Sequence, residues 1–195
     1  MIILGSSSPR RKELLGSIVP DFIIRKPDTD ESVLDDESAH RYCLRVAREK
    51  REALLPITDA GNIILITSDT TVSKDDHILG KPTDREDAVR MLSILQGETH
   101  QVLSSIALYA LIDGKEIRAD GLESTDVTFK SLNIQEIERY LDAVHVYDKA
   151  GAYAAQEQGK LIISGIEGSI TNVIGLPMRL LFSLLSENDL LRFIF

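Results

Sequence analysis

The chain alternates short apolar runs with amphipathic stretches. Ile2-Ile3-Leu4 has the length and β-branched content of a buried strand. An amphipathic stretch follows, with Leu14, Leu15 and Ile18 as its apolar stripe. Ser8 suits a helix N-cap and Pro9 the first turn, so the spacing predicts strand, hydroxyl-rich turn, then helix. Phe22-Ile23-Ile24 predicts a second strand, and Lys26 to Asp36 an acidic loop containing Asp30 and Glu31. The next helix is predicted from Glu37 or Ser38 to Leu54, with Ala39, Cys43, Val46, Ala47 and Leu54 inward. Asn62 to Ser68 predicts a strand covered on both faces, because Ile63-Ile64-Leu65-Ile66 is continuously apolar. That strand is expected to end in Ser68-Asp69-Thr70, with a hairpin around Asp75-Asp76 after it.

The second half continues the alternation. Thr83-Asp84-Arg85-Glu86 reads as a capping box opening a helix with Ala88, Met91, Leu92 and Leu95 inward, closed by Gly97. Two long strands are expected at His100–Leu111 and about Ile117–Lys130, joined through Asp113-Gly114, a strong hairpin signal. Asn133 and Glu136 start another helix, carrying Ile137, Tyr140 and Leu141. Leu161-Ile162-Ile163 predicts a strand, and Pro177 the start of a last helix packed through Leu180, Leu181 and Leu184. The terminal Phe193-Ile194-Phe195 is apolar and suits either the core or a partner.

Composition narrows the class. The 195 residues suit one compact domain or two small lobes, and the net charge of −9 argues against a general binder of nucleic acid or anionic membrane. Cys43 is the one cysteine, so no internal disulfide forms and a reducing, cytoplasmic setting fits. Neither a signal peptide nor a membrane span is predicted.

Three positions suggest chemistry. The first is Gly5–Arg11, Gly-Ser-Ser-Ser-Pro-Arg-Arg. Arg10 and Arg11 oppose the dipole of the helix they open, and a bound phosphate would relieve that cost. The bland reading is a capped helix with two solvated arginines. The second is Lys50, which fills the one vacant place on an inward stripe while Arg45, Arg48 and Arg51 fall off it. Such a lysine either snorkels or meets an anion. The third is Asp69, a carboxylate expected at a strand end, where α/β folds gather ligands; its bland reading is a turn aspartate. Lys81 lacks the glycine spacing and the following Ser/Thr of a Walker loop. His100 has no metal-ligand spacing around it and suits a hydrogen-bonded structural role. Gly165, Gly168 and Gly175 do not form a dinucleotide fingerprint.

Taken together, Ser6–Arg11, Asp30-Glu31, Ala47–Lys50, Ser68–Thr70, Gly80–Pro82, Asp148–Tyr153 and Gly175–Pro177 resemble the Maf nucleoside triphosphate pyrophosphatases in order and spacing. The likeness runs from Leu4 to the last helix. It implies one domain over 1–195, an α/β fold like that of inosine-triphosphatase enzymes, with a long curved mixed sheet, flanking helices and a cleft between two lobes. It implies hydrolysis of a nucleoside triphosphate to monophosphate and pyrophosphate with Mg²⁺ or Mn²⁺, a house-cleaning role, and no nucleic-acid or membrane partner; relatives suggest a homodimer. On this likeness Ser6, Arg10 and Arg11 match the phosphate-binding turn. Glu31, Lys50, Asp69 and Lys81 match the polar, catalytic residues of the cleft; Glu31 and Asp69 would hold the metal, with Asp69 open between metal ligand and the base that activates water, and Gln156 matches a position associated with the nucleobase. Arg10, Asp148–Tyr153 and Gln156 resemble the subgroup acting on dTTP, UTP and modified uridine triphosphates. The subgroup preferring 7-methyl-GTP usually carries an aromatic residue in place of Arg10. One departure stands beside the base position: Glu157, where the family often has glycine.

Two other readings use the same residues. A nucleotide-binding regulator of septum formation would fill the pocket with little turnover. A serine hydrolase on Ser6 or Ser8 would need a Gly-x-Ser-x-Gly elbow and a placed histidine, and the chain has neither.

Overall fold

Strand β3 (Ile63–Lys74) is the axis of the sheet. In the computed structural model, which describes residues 1–55 and 61–194, it runs beside β1 (Ile2–Gly5) and β5 (Thr99–Ile112). The seven-stranded sheet has the order β2-β1-β3-β5-β6-β7, with β4 (His77–Leu79) also on β3. Here β2 is Ile23–Ile24, β6 is Lys115–Phe129 and β7 is Ile163–Glu167. Pairing is parallel among β2, β1 and β3 and antiparallel elsewhere, so the sheet is mixed. The helices are α1 (Pro9–Gly16), α2 (Ala39–Leu54), α3 (Arg85–Leu95), α4 (Ile134–Ala143), α5 (Gly159–Ile162), α6 (Ile170–Ile174) and α7 (Met178–Glu187). Among the described residues no helix is long and apolar enough to cross a membrane.

The local signals explain most boundaries. Ser8 caps α1 and Ser38 caps α2, each hydroxyl accepting from the backbone N–H three residues on, at 3.4 Å. Asn133 and Glu136 form a full capping box on α4. Asp113 and Gly114 both have positive φ, as a two-residue hairpin turn between right-twisted strands requires, and Asp75 and Asp76 do the same between β3 and β4.

Two large apolar clusters pack on different stretches of the same strands. One joins Ile64, Ile66, Ile106 and Leu108 to Leu181 and Leu185 of α7. Phe193 and Ile194 belong to it, so this part of the terminal apolar run packs inward, while Phe195 lies outside the described residues. The other joins Val72, Val102, Val127 and Phe129 to Leu92 and Leu95 of α3 and Tyr140 of α4.

Four expectations need correction. Strand β3 continues to Lys74, so Asp69 lies within it rather than at its end. Its apolar run stops at Ile66, but Thr67 to Ser73 still pair with β5, because hydroxyl and β-branched residues suit a strand. Residues 161 and 162 end the short helix α5, and the strand starts only at Ile163. The cap of α3 is Asp84, whose carboxylate accepts from Asp87 N at 2.8 Å, one residue later than the Thr83 box predicts. Arg51 is buried, donating to Leu108 O at 3.4 Å and pairing with Glu52 at 2.9 Å. Ion pairing and a carbonyl acceptor let a cation occupy a face that the apolar stripe does not reveal.

Candidate active site

The cleft opens where the sheet is split. Strand β1 leaves β3 at the Gly5–Thr67 pair, and β4 joins it at Leu79–Val72. Residues 68–71 of β3 therefore keep a strand on only one side, β5. The chain leaving β1 turns through Ser6–Ser8 into α1, and the chain leaving β4 turns through Gly80-Lys81. Between them lies a cleft of about 730 Å³, within the range of small-molecule sites. Asp69 and Thr70 line its floor, and Ser6, Arg10, Arg11, Glu31, Lys50, Lys81 and Gln156 also line it. All eight residues singled out from the sequence are thus in one cavity.

Asp69 and Lys50 form a buried pair. Lys50 Nζ donates to Asp69 Oδ1 at 2.8 Å and pairs with Glu31 Oε1 at 2.9 Å. Both side chains of the first pair are under a tenth exposed, whereas Glu31 is 39% exposed. Of the two outcomes open to an inward lysine, that of α2 meets anions. Thr71 Oγ1 donates to the other Asp69 oxygen at 3.2 Å. Tyr42 reaches over from α2 and donates to Glu31 O at 2.9 Å, tying the acidic loop to the cleft. Burial, then the charges of Asp69 and Glu31, push the Tyr42 phenol up, so it stays a neutral donor. Burial, then Asp69, pushes the Cys43 thiol up to about 12, which removes it as a nucleophile near neutrality.

Arg11 is held differently. Its Nε donates to Gly175 O at 2.7 Å, Nη2 to Thr70 Oγ1 at 3.0 Å and Nη1 to Ser6 Oγ at 3.4 Å. All three acceptors are neutral, so the guanidinium is fixed in place without being neutralised at contact distance. Burial pushes its pKa down and the Asp69 carboxylate pushes the other way; an arginine remains charged throughout. Gly175 has φ of +124°, and this backbone turns its carbonyl onto Arg11, Ser68 and Thr70 together. Ser6 accepts from Ser8 N at 3.1 Å, so its hydroxyl is part of the turn itself.

Arg10 pairs with Asp148 at 3.0 Å across the cleft mouth. Lys81 and Gln156 are exposed and reach no partner among the described residues, which leaves both available to a ligand. Lys149 is buried; its ammonium donates to His145 O and pairs with Asp148 at 2.9 Å and Glu157 at 3.4 Å. Glu157 is accordingly engaged with Lys149 and does not line the cavity. Sequence reasoning did not assign roles to Thr70, Tyr42, Lys26 or Lys149, all of which line the cleft. Helical or strand spacing carries no signal for Thr70, because its partners Arg11, Ser104 and Gly175 lie far away in the chain; Lys149 has near partners, His145 and Asp148, but stands in an irregular turn where no periodicity applies.

Residues 1–188 match the family described as Maf-like protein. The chain belongs to the Maf family. Three Maf relatives, each named dTTP/UTP pyrophosphatase, show how far the likeness extends. The protein of Chromobacterium violaceum is 42% identical over 189 residues, 95% of this chain and 93% of that one. That of Anaeromyxobacter dehalogenans is 41% identical over 177 residues, 91% and 88% of the two chains. That of Bacteroides thetaiotaomicron is 40% identical over 188 residues, 95% of each. The cleft residues described above all fall inside the Maf match.

The carboxylates also suit the divalent ion that the Maf resemblance implies. Glu31 and Asp69 converge on one cation, the Lys50 ammonium, and both are hard oxygen donors. Among the described residues no group of three His, Cys, Asp or Glu forms a closed protein cage. Two carboxylates with phosphate and water oxygens are the arrangement Mg²⁺ or Mn²⁺ accepts at phosphoryl-transfer sites.

Proposed function

We propose that this protein hydrolyses dTTP and UTP, and related modified uridine triphosphates, to the monophosphate and pyrophosphate. The reading rests on one observation: a single cleft is lined by Arg10, Arg11, Lys50, Lys81 and the mid-strand carboxylate Asp69. The names of the relatives supply the substrate.

A triphosphate brings several negative charges, so cleavage depends on positioning and charge neutralisation. Arg11, already fixed by neutral acceptors, presents a pre-organised charge to the phosphates. Arg10 and Lys81 add charge from the cleft lining, and Ser6 and the N-terminus of α1 add donors. Glu31 and Asp69 would hold Mg²⁺ or Mn²⁺, which supplies further charge on the phosphate oxygens when bound. Asp69 orients a water and accepts its proton as that oxygen forms a bond to the α-phosphorus. The bond from the α-phosphorus to its bridging oxygen breaks, and pyrophosphate leaves with that oxygen. Gln156, both donor and acceptor, faces the imide edge of uracil or thymine.

The test is product analysis with dTTP and UTP, in Mg²⁺ or Mn²⁺ and in chelator, beside Asp69→Asn. We expect monophosphate and pyrophosphate with metal only, and a loss of at least about 100-fold in the variant. Inorganic phosphate as the first product, or an unimpaired variant, refutes the mechanism. Nucleotide binding with no product in any condition refutes hydrolysis and leaves a binding protein.

A further inference from the structure

A row of alternating charges crosses the cleft mouth and ends beside the base-facing segment. Arg10, at the start of α1, donates from Nη1 to Asp148 Oδ2 at 3.0 Å. The other oxygen of Asp148 accepts from Lys149 Nζ at 2.9 Å. Lys149 continues to Glu157 at 3.4 Å, and Glu157 is the neighbour of Gln156. Lys149 is 5% exposed and also donates to His145 O, so the middle of the row is anchored rather than loose. The backbone on either side is fixed too. Gly151 N donates to Gly80 O at 3.0 Å, and Tyr153 OH bonds His100 Nε2 at 2.8 Å. Gln156 and Glu157 are exposed, and the Gln156 side chain reaches no partner among the described residues. The tie from Glu157 to Lys149 is therefore a side-chain restraint acting next to Gln156. At the other end, Arg10 touches Asp148 through one nitrogen and keeps further N–H donors for a phosphate.

We propose that the row Arg10–Asp148–Lys149–Glu157 is a specificity device, in which Asp148, Lys149 and Glu157 are positioning residues that hold the phosphate arm and the Gln156 segment in one fixed relation. A nucleotide gains full affinity only when its triphosphate and its base fit that relation together. Glu157 strengthens base discrimination by fastening the Gln156 segment to Lys149. The proposal rests on the reading of this cleft as a dTTP and UTP site, with Gln156 at the base.

The test compares the full-length wild type with Glu157→Gln and Asp148→Asn. Non-hydrolysable α,β-imido analogues of dTTP and dGTP are titrated by calorimetry, and turnover of dTTP and dGTP is measured in parallel. Both substitutions keep shape and remove one charge, and Glu157 is exposed enough that its variant folds. Exposed and half-exposed pairs are modest, so the dTTP-over-dGTP affinity ratio should fall about two- to fivefold in each variant. The effect of adding Gln156→Ala should shrink in the Asp148→Asn background, since the two act through one restraint. A merely structural role lowers both affinities and the melting temperature together and leaves the ratio unchanged; that result overturns the proposal. A wild type that binds both analogues equally overturns it as well. If wild type binds with preference but turns over neither nucleotide, the hydrolase reading falls, and the affinity ratio in the variants still decides the device.

Discussion

Acidification should unfasten this protein through one histidine. His100 is 2% exposed, its Nε2 bonds Tyr153 OH at 2.8 Å, and its Nδ1 has no protein partner. The ring packs edge-on against Phe129 at 4.9 Å and Tyr153 at 5.4 Å. Burial, and then the nearby Lys74 charge, lower its pKa to about 4. In the unfolded chain a histidine takes its proton near pH 6.5. The folded state therefore favours the neutral ring, and the unfolded chain binds the proton first. The stabilisation is complete above about pH 6.5 and is lost as the pH falls toward about 4, at roughly 1.4 kcal/mol per unit and roughly 3 kcal/mol in all. Urea denaturation of wild type and His100→Gln at several pH values across that window measures it. The wild-type curve should fall more steeply than the variant curve by close to one proton's slope. Parallel curves, or an NMR titration of His100 with a midpoint near 6.5, would refute the argument. Tyr153 lines the cleft, so ligand affinity should weaken in the same window before global unfolding.

Two further outcomes follow from the packing. Lys50→Met leaves the buried Asp69 carboxylate with Thr71 alone, so unfolding free energy should drop by about 3–5 kcal/mol; a change under about 1 kcal/mol would show that the pair is not desolvated. Gly151→Ala should cost about 1–3 kcal/mol in the same assay. Its φ is +69°, and the added methyl would sit 3.0 Å from both Val72 methyl carbons, so a neutral result would mean that the Ala150–Ala152 turn shifts freely.

Local chemistry made much of this structure legible. Ser8, Ser38 and Asn133 cap where their side chains allow, and Asp113-Gly114 turns where positive φ is cheapest. Lys50 was visible as a charge on an apolar stripe, and its partner anions explain it. The site was legible as a set of residues, largely through the family likeness, but its construction was not. The apolar run ending at Ile66 suggested that Asp69 closes a strand, when hydroxyl residues carry β3 onward and the neighbouring strands part around it. Arg51 was visible only as a residue off the apolar stripe, because its acceptor, Leu108 O, belongs to a strand 57 residues away. The Arg10–Asp148 pair spans 138 residues, and no periodicity reports a contact at that separation. Glu157 was visible as a departure, yet only the fold shows that its charge is turned to Lys149.

The parting of β1 and β4 around residues 68–71 has a mechanical consequence. The two apolar clusters share strands: Ile66 and Val72 are both on β3, and Ile106 and Val102 are both on β5. At the cleft floor the β3–β5 ladder runs unbroken from Ile63–Leu111 to Ser73–Gln101. A jaw movement about a flexible hinge would have to bend that ladder and strain its hydrogen bonds. The floor is braced like a continuous plank under Asp69, whereas Lys81 and Gln156 stand exposed on the cleft lining without such bracing.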